Sequence, residues 1–401
     1  MDHGTPADGV RAEHGKRRGA PPLRLLFWET TKACNLRCQH CRAVPEAERT
    51  AVEFTTEEGF RLMDQIAEVS RPVLILSGGE PLYRPDVFDL GAYGVSKGFR
   101  MALATNGTLI DEQIASRTVR AGFSRVAVSL DGASAATHDR FRGLAGSHAR
   151  ALRGLGYLRE RGMSVQINST IARHNVAELP ALLDLALAIG ADALHIFMLV
   201  PVGCGVNIAD REMLPADEYE RVLHWFYDRS KTTSIDLKAT CAPHYFRVRA
   251  QRMVEERRQG DRSTPFIAHG TRLKAAPDPA GGRPLSTMTR GCLAGTAVCF
   301  VSNAGEVYPC GYLPVSAGNV RQERFATIWS ESPVFRALRD PEALGGKCGI
   351  CRYEGICGGC RARAYSDAGD YLAAEPFCTY EPLLDQAYTP GGGEQPNAAI
   401  R

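Results

Sequence analysis

Cys34, Cys38 and Cys41 put three thiols on one short stretch, Cys34-Asn35-Leu36-Arg37-Cys38-Gln39-His40-Cys41, directly after an apolar run. Three thiolates can each hold one iron of a cubane and leave the fourth iron open to a ligand, and thiolate is a soft donor suited to iron–sulfur clusters. A zinc knuckle is the competing reading, with His40 as the fourth ligand that a structural zinc site demands. Eight more cysteines (Cys292, Cys299, Cys310, Cys348, Cys351, Cys357, Cys360 and Cys378) crowd into the C-terminal quarter. They suffice for two fully ligated clusters, and the C-x2-C pairs among them also suit zinc. Cys204 and Cys241 complete the 13 cysteines. A lone cysteine is commonly a small buried hydrophobe, and Cys204 is assigned no role.

A second group of residues follows a run of small apolar segments. Ser77-Gly78-Gly79-Glu80-Pro81 is a turn in which glycines let backbone approach a ligand closely. Thr105-Asn106-Gly107, then Ser129-Leu130-Asp131-Gly132, occupy the same place after later segments, and Arg140 comes soon after. Taken singly, each is as readily turn chemistry or a surface ion pair.

The elements that must position these residues alternate between two periodicities. Short apolar runs at 23–30, 73–76, 101–104, 126–129, 165–171 and 193–200 read as buried strands. Between them lie helical patterns. One opens with a capping box at Thr55-Thr56-Glu57-Glu58 and carries Phe60, Met63, Ile66 and Ala67 on one face; another spans 179–189 and closes at Gly190. Six strands alternating with helices imply an α/β fold with parallel pairing and right-handed crossovers. A partial (β/α)6 barrel and an open doubly wound sheet both fit, and in both the site forms at the C-terminal ends of the strands. Residues 21–210 are therefore expected to form the barrel, and 211–290 a helical linker with a short apolar break near 235–237 and a turn-rich stretch. Residues 291–385 form a small cysteine-rich domain organised by metal. Residues 1–20 and 386–401 read as disordered tails.

Bulk properties exclude several classes. The 401 residues are enough for more than one domain, and 44% hydrophobic with 23% charged residues is an ordinary soluble balance. A net charge of +3 is too small to argue for nucleic acid, and the basic run Arg11, Lys16, Arg17, Arg18 lies among Gly, Ala and Pro as a solvated tail does. No apolar run approaches the roughly 20 residues of a membrane helix, and no signal-type stretch opens the sequence. A cytoplasmic location is expected, where thiols stay reduced and metal or redox chemistry is the default use of many cysteines.

The C-x3-C-x2-C loop after the first strand, joined to Gly78-Gly79-Glu80-Pro81 after the second, resembles the signature of the radical S-adenosylmethionine (SAM) superfamily. The resemblance implies a 4Fe–4S cluster on Cys34, Cys38 and Cys41 with SAM on the open iron. His40 stands where the family places a residue near adenine, and Gly78, Gly79 and Glu80 would meet the methionine end. Asn106 is a further matching position, Ser129 and Arg140 would meet the SAM carboxylate, and Asn168 the ribose. The C-terminal cysteines resemble the SPASM domain, an auxiliary-cluster module. By that resemblance Cys292, Cys299, Cys310 and Cys360 would hold one auxiliary cluster and Cys348, Cys351, Cys357 and Cys378 a second. The pattern departs at Cys360, which follows Cys357 after two residues instead of three.

Three stretches, 237–245, 290–296 and 357–365, are similar to the haem synthases of the siroheme-dependent pathway and, in part, to related tetrapyrrole enzymes. That likeness implies a 5′-deoxyadenosyl radical removing a β-hydrogen from a propionate of iron-coproporphyrin III. The substrate radical then loses CO2 and one electron, and two propionates become the vinyls of haem b. It also implies a low-potential electron donor such as a flavodoxin or ferredoxin. Cys241, His244 and Tyr245, with Phe246, Arg247, Arg249, Arg361 and Arg363, are the expected substrate contacts; a solvated helix face is the plainer reading of each. Two rival classes stay open: a peptide-modifying maturase, and a non-enzymatic electron carrier or metal-sensing protein.

Overall fold

The computed structural model describes residues 20–260 and 291–382. The expected tails lie outside the described residues, apart from residue 20, and so does most of the turn-rich stretch before Cys292.

Seven strands run parallel in simple sequential order: β1 (Leu25–Glu29), β2 (Val73–Ser77), β3 (Arg100–Thr105), β4 (Arg125–Ser129), β5 (Val165–Ile171), β6 (Ala193–Met198) and β7 (Asp236–Thr240). Sequential parallel order requires each crossover to pass over the same face, and this wraps the sheet toward a barrel. The first six strands match the sequence expectation. β7 is the short apolar break in the expected linker; it lies between helices Ala216–Thr232 and His244–Arg258 and pairs with β6 from Ala193↔Asp236 to Phe197↔Thr240. Only Leu237 and Ala239 of this strand point into the core, so its apolar signal is two residues long.

The outer face of the sheet is covered by helices. Leu74, Leu76, Met101, Leu103, Val126, Val128, Ile167, Leu194 and Ile196 alternate outward and are buried in one continuous core with Leu62, Met63 and Ile66 of helix Thr56–Val69. That helix starts as expected: Glu58 N–H donates to Thr55 Oγ1, and Thr55 N–H donates to Glu58 Oε2 at 2.8 Å. Gly190 ends helix Leu179–Ile189 with φ 71°. Phe60 stacks on Tyr93, with ring centroids 4.0 Å apart.

The C-terminal module is continuous with this sheet. Its strand β8 (Val298–Val301) pairs in parallel with β1, from Leu25↔Val298 to Trp28↔Val301. β9 (Glu306–Tyr308) and β10 (Gly318–Asn319) then extend the sheet antiparallel. Helix Phe325–Glu331 packs against helix Thr56–Val69, and Trp329 Nε1 donates to Pro21 O at 2.9 Å. Residues 291–382 otherwise have little regular structure, and eight thiols lie among them. Among the described residues no helix is long and apolar enough to cross a membrane.

Candidate active site

The cysteine loop leaves β1 and is clamped by the turn that leaves β2. Gly79 N–H donates to Thr31 O and Glu80 N–H to Ala33 O, both at 2.7 Å. A β-carbon at Gly78 would stand 2.5 Å from Thr31 O, and one at Gly79 only 2.3 Å from Ala33 O. The glycines are therefore required by the approach of the cysteine loop itself. The Gly79 and Glu80 amides are used inside the protein by these bonds. Glu80 is fully buried and accepts from Leu82 N, Thr105 Oγ1 and Asn106 N, tying the end of β2 to that of β3. Burial pushes its pKa up to about 7 against those three bonds.

Asn106 reaches back to the loop. Its Nδ2 donates to Asn35 Oδ1 at 2.8 Å and lies 3.9 Å from Cys34 Sγ. Leu36 N–H also donates to Cys34 Sγ, at 3.4 Å. Cys204 N–H donates to Cys41 O at 2.8 Å, so the segment after β6 closes the far side of the loop.

Asp131 is the centre of the third wall and is fully buried. Its Oδ1 accepts from Thr170 N at 2.7 Å, while Oδ2 accepts from Arg142 Nε at 2.7 Å and faces His40 Nε2 at 3.2 Å. Burial opposes its charge, but Arg142 and His40 prevail and hold it below the usual carboxylate range. Burial lowers His40 to about 4, so its ring is neutral and donates from Nε2; Nδ1 is buried without a hydrogen-bond partner among the described residues. The His40 ring stacks on Phe141 at 4.1 Å, and Phe141 in turn meets His174 at 4.0 Å. Arg142 Nη1 points at Cys38 Sγ, 3.9 Å away. Arg140, the arginine expected here, is exposed, and only its backbone carbonyl meets the loop, accepting from Gln39 Nε2. Helix Ala135–Arg142 turns Arg142 inward on the same face as His138, four residues earlier.

On the inner face of the sheet, opposite the helices, β4 to β7 line up Ser129↔Asn168↔His195↔Lys238 in one register row. Asn168 Oδ1 accepts from Gln166 Nε2, which also contacts His195 Nδ1 at 2.9 Å. Lys238 makes no hydrogen bond or ion pair among the described residues, and burial lowers its pKa despite Asp236. Below this row Leu25, Val73, Ala102 and Val298, with Phe27 and Ile75, form an apolar floor. Phe197 and Tyr312 stand near the rim, 6.5 Å apart.

The C-terminal thiols form two groups. Cys348, Cys351, Cys357 and Cys378 line one cleft together with His244 and Arg247, which brings the expected second set together. Backbone N–H groups of Tyr353 and Glu375 donate to Cys351 Sγ and Cys348 Sγ at 3.4 Å. The first set is different. Cys360 is buried in a small cluster against which Cys241 and Cys310 pack, and Cys292 lies near Cys360 and Cys310. Cys299 is apart from them. On β8 it points to the helix-covered core with Leu26 and Val301.

Cys241, expected as a substrate contact, packs against the small cluster that contains Cys360, and Cys299, expected as a cluster ligand, lies among the helix-covered core side chains. Tyr245 is also core: it packs edge-on against Phe226, and its hydroxyl faces Ser230. His244 is 1% exposed and faces the second thiol cleft. Arg361 and Arg363 bond to Tyr371 O, Ala373 O, Glu375 and Tyr219, so neither is a free cation.

The donor sets fit iron–sulfur clusters. Bare, Cys38 is pushed up to about 12 mainly by burial and Cys310 likewise, so both hold their protons, whereas Cys360 is lowered to about 6, chiefly by its side-chain interaction with Cys241. Metal loading must therefore displace protons. Among the described residues no three His, Cys, Asp or Glu side chains close on one point as ligands of a single ion do; thiolates of a cubane each bind a separate iron. The polar row of Ser129, Asn168, His195 and Lys238 suits a polar ligand such as SAM.

Comparison with known proteins agrees with this geometry. Residues 28–186 match the Radical SAM superfamily, and residues 292–361 match SPASM, an iron–sulfur cluster-binding domain. An AdoMet-dependent heme synthase of Methanosarcina barkeri is 49% identical over 90% of this chain and 97% of its own length. A protein of the same name from Nitratidesulfovibrio vulgaris is 45% identical over 92% and 96%. The crystal structure of Streptococcus suis SuiB bound to S-adenosylmethionine superposes with a TM-score of 0.68 at 15% identity, covering 90% of this chain and 78% of SuiB.

Proposed function

This chain belongs to the radical SAM superfamily, in the group that carries a SPASM domain, and we propose that it oxidatively decarboxylates two propionates of iron-coproporphyrin III to vinyl groups, giving haem b. The observation that carries the reading is near full-length similarity to AdoMet-dependent heme synthases, and the inner face supports it. Lys238 and His195 offer donors for carboxylates on the wall, and Phe197 and Tyr312 offer aromatic surface for a planar macrocycle.

When bound on Cys34, Cys38 and Cys41, a reduced cluster with SAM supplies a 5′-deoxyadenosyl radical able to take hydrogen from an unactivated carbon. The chain's own residues do the rest. The Asp131–Arg142–His40 network and the Gly79 clamp hold the cysteine loop rigid against the strand ends. Ser129 and Asn168 line the wall where ribose and carboxylate groups would bind. The apolar floor keeps water from below the reacting carbon. Each propionate loses one hydrogen atom, then CO2 and one electron; the two C-terminal thiol groups, taken as two auxiliary cluster sites, would hold the acceptor for that electron.

The test is an anaerobic assay of reconstituted protein with reductant, SAM and iron-coproporphyrin III, read by mass spectrometry. Loss of one and then two CO2, with 5′-deoxyadenosine formed, is expected. Deoxyadenosine with an unchanged porphyrin would overturn this substrate and turn attention to other tetrapyrroles and peptides.

A further inference from the structure

Cys241 is the only non-glycine residue with a left-handed backbone among the described residues, at φ 55°. An L-residue is sterically disfavoured there, and such outliers persist where surrounding structure enforces them. The enforcement is visible. Tyr219 Oη donates to Cys241 O at 2.8 Å; Arg363 Nη2 donates to Tyr219 Oη at 2.8 Å; Arg363 Nε donates to Glu375 Oε1 at 2.9 Å; and Glu375 Oε2 accepts from Cys360 N at 2.6 Å. Arg363 and Glu375 are at most 1% exposed. One buried chain of hydrogen bonds thus fixes Cys241, at the end of β7, and Cys360, in the C-terminal module, relative to each other. Gly358 and Gly359, at φ 70° and 61°, turn the chain between Cys357 and Cys360, and those two cysteines belong to different thiol groups.

We propose that Cys241 supplies the fourth thiolate of the first auxiliary cluster, with Cys292, Cys310 and Cys360, and that Cys299 is a buried core side chain with no iron. This assignment departs from the spacing of the SPASM pattern, because the fourth ligand comes from the barrel's last strand. Strand pleating forces the exchange. Val298 and Phe300 face inward on β8, so Cys299 between them must face the helices. The assignment stands on the thiol geometry and not on the haem reading.

The test uses the full chain with Cys34, Cys38 and Cys41 replaced by alanine, so that iron resides only on C-terminal sites. Cys241→Ala and Cys299→Ala are made in that background and reconstituted anaerobically. Iron, sulfide and zinc are measured, and reduced samples are read by electron paramagnetic resonance. Cys241→Ala is expected either to lose about four irons per chain or to keep a three-thiolate cluster with changed g-values that shift on adding 2-mercaptoethanol. Cys241→Ser, which keeps the side-chain size, is expected to stay folded by circular dichroism and to show the same spectral change. Cys299→Ala is expected to match the parent in iron and spectrum. Unchanged iron and g-values in Cys241→Ala, loss of cluster in Cys299→Ala, or zinc in the site would each overturn the assignment.

Discussion

Replacing Gly79 with alanine tests whether the turn after β2 holds the cysteine loop in place. The new β-carbon would lie 2.3 Å from Ala33 O, 2.5 Å from Lys32 O and 2.8 Å from the Ala33 carbonyl carbon. All three are backbone atoms, so no side chain can rotate away. Reaching ordinary contact needs a shift of about 1 Å in the segment that carries Cys34. Overpacking of this kind costs about 1–3 kcal/mol. The two short bonds from Gly79 N and Glu80 N to that segment would also weaken, at about 1 kcal/mol each. A total of about 3–5 kcal/mol follows, and Cys34 moves with its neighbour. Anaerobic thermal melting, iron content and 5′-deoxyadenosine yield read the outcome, and all three are expected to fall. Gly156→Ala is the control: it lies in helix Ser147–Glu160 with nothing within 4 Å of the new carbon, and should gain about 0.5–1 kcal/mol. A Gly79→Ala protein with the parent's melting point, iron and yield would refute the clamp.

Asp131→Asn keeps shape but puts an amide among donors from Thr170, Arg142 and His40, so one orientation or the other sets N–H against N–H; a loss of about 3–5 kcal/mol is expected, and a melting point within 1–2 °C of the parent would contradict the network. Lys238→Met should raise the KM for the porphyrin about tenfold or more, as expected for losing a charged hydrogen bond of about 1.5–3 kcal/mol, while SAM cleavage without substrate stays unchanged; equal KM values would remove Lys238 from the substrate wall. Burial, together with Arg142, holds His138 at about 4, below its ordinary 6.5, and its Nδ1 accepts from Asp131 N–H. The unfolded chain therefore binds more protons between those values, so this stability is full above pH 6.5 and lost as pH falls toward 4, by about 3 kcal/mol. His138→Gln should flatten the slope of unfolding free energy over that window by up to one proton, and an undiminished slope would show that the ring is charged in the fold.

The cysteine loop, the glycine turn and six of the strands were legible because each is a local pattern: three thiols at fixed spacing, or a short apolar run bounded by a turn. β7 was hidden because three of its five residues, Asp236, Lys238 and Thr240, face inward and only two reach the core. Arg142 was missed in favour of Arg140 because the two differ only in which face of helix Ala135–Arg142 they occupy, and the buried face was apparent only once His138 and Phe141 were placed. The placing of Cys299 and Cys241 was hidden for a related reason. Spacing along the chain says nothing of the side of a strand on which a thiol emerges, and the partner that Cys360 meets is over a hundred residues away.

The pairing of β1 with β8 has a bearing on how the chain is made. Val298 follows Leu25 by roughly 270 positions, which at 5–20 residues per second is about 14–55 s of synthesis. Throughout that interval one edge of β1, a run of Leu25, Leu26, Phe27 and Trp28, has no strand beside it. An apolar unpaired edge is a template for pairing with other chains. The nascent enzyme is thus most exposed to aggregation before its iron-binding module leaves the ribosome, and whatever shelters it must do so without help from any cluster that the module later holds.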